Sequence, residues 1–151
     1  LQLGNRETPP VVVDRIVGDG ETISLGGTTL TALMTPGHTP GATTWTMTAA
    51  ENGRFYRVIF YCSTSMAAPL VGNTLYPHIV QDYERTFARM RTLSSDVFLA
   101  VHPEYFDMQS KRKKMKPGAP NPFVDPTELA RYIEQSEREF RAELARQKAA
   151  P

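Results

Sequence analysis

The segment Thr35-Pro36-Gly37-His38-Thr39-Pro40-Gly41 constrains this chain more than any other stretch. Two Pro/Gly pairs enclose a single histidine. Proline presets φ and glycine supplies conformations other residues avoid, so the segment reads as a rigid turn. Residues 28–35, just before it, alternate and are rich in β-branched threonine, which favours a strand. A histidine on a rigid turn at a strand end stands where sites are often built. The same pattern also describes an ordinary turn with an exposed polar side chain. The segment alone leaves both readings open.

The rest of the chain supplies the frame. Residues 1–10 read as an irregular lead-in, and Val11-Val12-Val13 opens a strand expected over 11–17. Residues 21–25 form a short strand that Gly26-Gly27 turns into the next. After the histidine loop, residues 43–48 alternate as a strand. Asn52-Gly53 marks a hairpin, and residues 55–61 are its partner. Val58-Ile59-Phe60-Tyr61 is apolar enough to predict burial on both faces. Residues 66–77 read as loop. The spacing of Ile79, Val80, Tyr83, Phe87 and Met90 predicts a helix over 79–93, with Asp82 facing away. Residues 97–101 are a short apolar strand, and 104–122 a long connection. In the last helix, Asp125 is the expected N-cap, Pro126 the first helical position and Glu128 the capping-box partner. Leu129, Tyr132, Ile133, Phe140 and Leu144 form its apolar stripe. Strands with hairpins, then helix, strand and helix, give one α/β domain with a mixed sheet flanked by helices.

Bulk properties exclude several classes. A chain of 151 residues, 40% hydrophobic and 22% charged, can bury a real core. The net charge of +1 gives no case for nucleic acid, and the run Lys111-Arg112-Lys113-Lys114 reads as a solvated face. No apolar run approaches a membrane span. The single cysteine, Cys62, excludes an internal disulfide.

The chain has three histidines. His38 and His102 each follow a strand in or beside a proline-bearing turn, which places both imidazoles on the strand-end rim where α/β folds gather ligands. Neutral imidazole is the commonest protein metal ligand, but two histidines do not complete a zinc site. His78, at a helix entry, is expected to be structural and bonded to nearby backbone. Cys62, at a third strand end, is expected to be a buried small hydrophobe, since no Asn or Asp is evidently placed to orient a histidine beside it. The serines around it suit contact with an anionic substrate.

At this point the chain resembles the C-terminal half of a subclass B3 metallo-β-lactamase. The residues that carry the resemblance run in order: Gly26-Gly27-Thr28-Thr29-Leu30-Thr31-Ala32 into the 35–41 loop, Thr43-Thr44-Trp45, Tyr61-Cys62-Ser63-Thr64-Ser65, Tyr76-Pro77-His78, Asp96-Val97-Phe98-Leu99, His102-Pro103, and Gly118-Ala119-Pro120-Asn121-Pro122-Phe123 with the terminal helix. The resemblance implies the αβ/βα sandwich and zinc-dependent hydrolysis of a β-lactam substrate, with two zinc ions in the intact enzyme. It implies that His38 and His102 are zinc ligands, and that Ser63 and Ser65 hold the substrate carboxylate. Cys62 is not implied as a ligand. It also implies a periplasmic or secreted protein. A glyoxalase-like thioesterase of the same superfamily and a non-catalytic half that needs a complementing chain are the alternatives.

The family's His-x-His-x-Asp-His motif does not occur between Leu1 and Pro151. The expectation is therefore that residues 1–151 are the C-terminal portion of one domain, lacking the upstream metal-binding half. An N-terminal segment of the same protein would complement it and cover a sheet face otherwise left open.

Overall fold

The computed structural model describes residues 12–150. The lead-in and Val11 lie outside them. Five strands form one sheet in sequence order: β1 Thr22–Leu25, β2 Thr28–Met34, β3 Thr43–Glu51, β4 Arg54–Tyr61 and β5 Val97–Ala100. The first four pair antiparallel, and β5 joins β4 in parallel. Helix α1, Ile79–Met90, makes the crossover that a parallel pair requires. Helix α2, Met108–Lys114, follows a 3-10 turn at Pro103–Phe106, and the long helix α3 covers Glu128–Ala149.

The turn chemistry acts as its sequence implies. Gly26 and Gly27 both have positive φ, as do Asn52 and Gly53. Two successive left-handed residues match the twist of the flanking strands, so both hairpins close in two residues.

Helices α1 and α3 cover one face of the sheet. Ile59, Tyr61 and Phe98 project from that face into a core with Ile79, Tyr83, Phe87, Met90, Leu129, Ile133 and Phe140. Aromatic rings meet in its centre, with Tyr83 and Phe140 centroids 5.0 Å apart. The other face carries a row across four strands: Ala32, Trp45, Phe60 and Leu99 stand side by side in register.

Several sequence expectations change here. Residues 12–17 form no strand. Val12 and Ile16 are each 86% exposed, so among the described residues β propensity finds neither a partner strand nor a face to pack on. Phe60 is exposed although its neighbours Val58, Ile59 and Tyr61 are buried, because it lies outside the core that α1 and α3 cover. The first helix ends at Met90 rather than Leu93. Asp82 is buried rather than solvent-facing, since the Tyr76 hydroxyl and Arg85 satisfy its carboxylate. The connection after His102 contains α2, and its Lys111 is buried against Glu128 rather than solvated. The capping box does not form. Asp125 accepts from the Thr127 amide and hydroxyl, while Glu128 turns to Lys111.

Candidate functional site

Strand direction gathers the candidate residues. β2 and β4 are both antiparallel to β3, and β5 is parallel to β4, so β2, β4 and β5 point the same way. The segments with His38, Ser63, Ser65 and His102 therefore leave one rim of the sheet.

The His38 loop is closed by its own backbone and held from below. The Thr35 amide donates to the Ala42 carbonyl at 2.9 Å, and the Thr35 and Thr44 hydroxyls, both buried, bond at 2.8 Å. Thr86 of α1 donates its hydroxyl to the Pro36 carbonyl at 2.6 Å. Gly37 has φ +140°, and a Cβ there would lie 2.7 Å from the Tyr83 ring. Glycine is thus required twice over, for its backbone angle and for the close approach of Tyr83.

His38 Nδ1 lies 2.8 Å from the Ser65 carbonyl oxygen and 3.1 Å from the Ser65 hydroxyl. A carbonyl can only accept, so Nδ1 carries a proton, and in the neutral ring Nε2 is the nitrogen that keeps a lone pair. This second bond fixes both tautomer and ring direction, as it does for imidazoles that ligate metals. On chemical grounds His38 fits a metal-ligand role. The Tyr83 hydroxyl donates to the same Ser65 carbonyl at 2.8 Å, so α1 ties the two loops together.

Ser63 is buried, and its hydroxyl donates to Ser65 Oγ at 3.0 Å while accepting the Ser65 amide. Ser65 Oγ thus accepts from Ser63 and at most shares the Nδ1 proton of His38, which as a donor cannot accept in return, so the Ser65 proton is left for another acceptor. Half-buried Ser65 stands in front and Ser63 behind it.

His102 is exposed at the end of β5, with its ring edge-on to Tyr105 at 5.1 Å. Among the described residues, no group of three or more His, Cys, Asp and Glu side chains is placed to hold a metal ion. Cys62 is half-buried rather than buried, and burial pushes its thiol pKa up, which disfavours a thiolate. His78 departs from its expected structural role. It is exposed, and it makes no side-chain cap bond at the start of α1.

No family model matches the chain. Solved structures match it closely. The subclass B3 metallo-β-lactamase BJP-1 of Bradyrhizobium japonicum is 47% identical with a TM-score of 0.89, over 93% of this chain and 54% of that one. The chain shares its fold with about half of a subclass B3 metallo-β-lactamase. FEZ-1 metallo-β-lactamase from Legionella gormanii is 40% identical with a TM-score of 0.88, over 94% of this chain and 55% of that one. A metallo-β-lactamase from Cronobacter sakazakii is 43% identical with a TM-score of 0.85, over 94% of this chain and 54% of that one. A curated relative, a probable metallo-hydrolase of Burkholderia pseudomallei (strain 1710b), is 38% identical over 63 residues, 42% of this chain and 19% of that protein. The chain therefore spans about half the length of the solved relatives.

Within this metallo-β-lactamase fold, sequence reasoning missed the residues behind the rim. Tyr83 reads in the sequence only as part of an apolar stripe, and Thr64 only as a small residue between serines. The available signal was chemical: a tyrosine on a buried face needs a partner for its hydroxyl.

Proposed function

We propose that this chain supplies part of a zinc-dependent hydrolase that opens the β-lactam amide bond. The observation that carries this reading is the likeness to subclass B3 metallo-β-lactamases, 47% identical over 93% of the chain in one case. In this reading His38, through Nε2, and His102 hold zinc, with two ions in the intact enzyme. Zinc bound there would lower the pKa of a water and polarise the scissile carbonyl.

The chain's own residues position and orient. Ser65 offers its free hydroxyl proton to the substrate carboxylate, and Ser63 keeps Ser65 in place from behind. Tyr83 and Gly37 hold the His38 loop against the serine segment. The remaining ligands come from an N-terminal segment of the same protein, which also covers the Trp45–Phe60 face. Residues 1–151 are then the C-terminal portion of one domain. A periplasmic or secreted location and a role in antibiotic resistance belong to the same reading.

The test is β-lactam hydrolysis by this chain joined to its upstream segment, with and without a chelator. Turnover that a chelator abolishes and zinc restores is expected. Chelator-insensitive turnover, or none at full zinc loading, would overturn the proposal.

A further inference from the structure

Two of the rim segments meet helix α3 through one side chain. We propose that Tyr132 is a positioning residue that sets the serine segment relative to His102. Its ring is wedged against the sheet, 5.0 Å from Phe98 and edge-on to Tyr61 at 5.8 Å. On another side it lies 5.6 Å from the Tyr105 ring, which in turn meets the His102 ring.

The Tyr132 hydroxyl lies 3.0 Å from Thr64 Oγ1. Thr64 gives its own proton to Ser136 Oγ at 2.9 Å, so Tyr132 is the donor to Thr64. Thr64 and Ser136 are both buried. Thr64 stands between the two serines. Ser63 and Ser65 bond each other on one side of this segment, and Thr64 reaches α3 on the other. A phenylalanine would fill the same space in the core. The hydroxyl adds a pin from behind the serines, and the ring adds a support under Tyr105. One rigid side chain on a long helix thereby sets two segments that are distant in sequence.

The geometric claim stands on these contacts, while its effect on substrate rests on the proposed hydrolase. The test uses the chain joined to its upstream segment, with Tyr132→Phe, Thr64→Val, the double variant and Tyr132→Ala. The readouts are KM and kcat for a β-lactam, backbone hydrogen exchange, and zinc affinity by chelator competition. Tyr132→Phe is expected to raise KM about three- to tenfold with kcat nearly unchanged, as loss of one hydrogen bond implies. It should speed exchange at residues 62–66 and leave 102–106 alone. Thr64→Val should do the same, and the double variant no more than either single one. Tyr132→Ala should also speed exchange at 102–106 and weaken zinc binding about tenfold.

Wild-type KM and exchange in Tyr132→Phe would overturn the proposal, as would additive effects in the double variant. If the wild-type protein hydrolyses no β-lactam, the functional reading fails by itself. Exchange at 62–66 in Tyr132→Phe then decides the positioning claim: faster supports it, unchanged overturns it.

Discussion

Nδ1 of His38 lies 2.8 Å from the main-chain oxygen of Ser65, and the Tyr83 hydroxyl lies 2.8 Å from that same oxygen. One carbonyl thus takes two donors from two elements. Its lone pairs are both used, and the loop after β2 is fixed to the loop after β4. Tyr83→Phe keeps the ring beneath Gly37 and removes one of the two donors. It should cost about 1 kcal/mol of stability by chemical denaturation. Gly37→Ala should cost more, about 1–3 kcal/mol, because positive φ and the Tyr83 contact both oppose a Cβ.

Under the proposed hydrolase function, Ser63 and Ser65 should separate kinetically in the chain joined to its upstream segment. Ser65→Ala removes the free hydroxyl and should raise KM for a β-lactam about tenfold, the scale of one charge-assisted hydrogen bond. Ser63→Ala should raise it less, because its oxygen faces Ser65. An unchanged KM in the double variant would remove both serines from substrate binding.

Lys111 and Glu128 form a buried ion pair between α2 and α3, with side chains 10% and 11% exposed. The Lys111 ammonium also lies 5.6 Å from the centre of the Phe123 ring. Lys111→Met or Glu128→Gln alone leaves one group without its partner and should cost about 3–5 kcal/mol. Replacing both by apolar residues of similar size should cost far less. Urea unfolding of the three variants checks the difference.

Asp125 gives the fold an acid-sensitive contact. The Arg131 guanidinium, and then the Thr127 hydroxyl and amide, hold its carboxyl down to about 2. An unfolded aspartate titrates near ~4. The folded value is the lower one, so the ionised form stabilises the fold above ~4, and that contribution fades as pH falls from ~4 towards ~2. Asp125→Asn should flatten this part of the stability profile. The difference should shrink in high salt, because Arg131 is well exposed.

Phe60, with Leu25 and Val101, leaves apolar surface open on one face of the sheet. The chain on its own should self-associate or bind a hydrophobic dye through that face. Phe60→Lys should weaken both effects, as light scattering and dye fluorescence would show.

Much of the fold was legible because it is encoded locally. Gly26-Gly27 and Asn52-Gly53 announce their hairpins, and the apolar stripes announce α1 and α3. The rim was also legible, since His38 and His102 both follow strand-like runs. What stayed hidden depends on contacts between distant segments. Lys111 looks like one of four solvated cations until α2 is laid on α3. Asp82 looks solvent-facing until Tyr76 comes back over it. The segment 12–17 has strand composition but no partner among the described residues, a fact no local pattern contains. Thr64 and Tyr132 are 68 positions apart, so their bond could not be read from either neighbourhood.

Each strand of the sheet pairs with the strand beside it in the sequence. The β1–β4 meander therefore needs only short loop closures, and such contacts form early at little entropic cost. Only β5 waits for a crossover. A further segment docking on the open face would find its template already in register. In the proposed hydrolase, the added ligands would then reach histidines whose backbone was ordered beforehand, so assembly would run from scaffold to metal site and not the reverse.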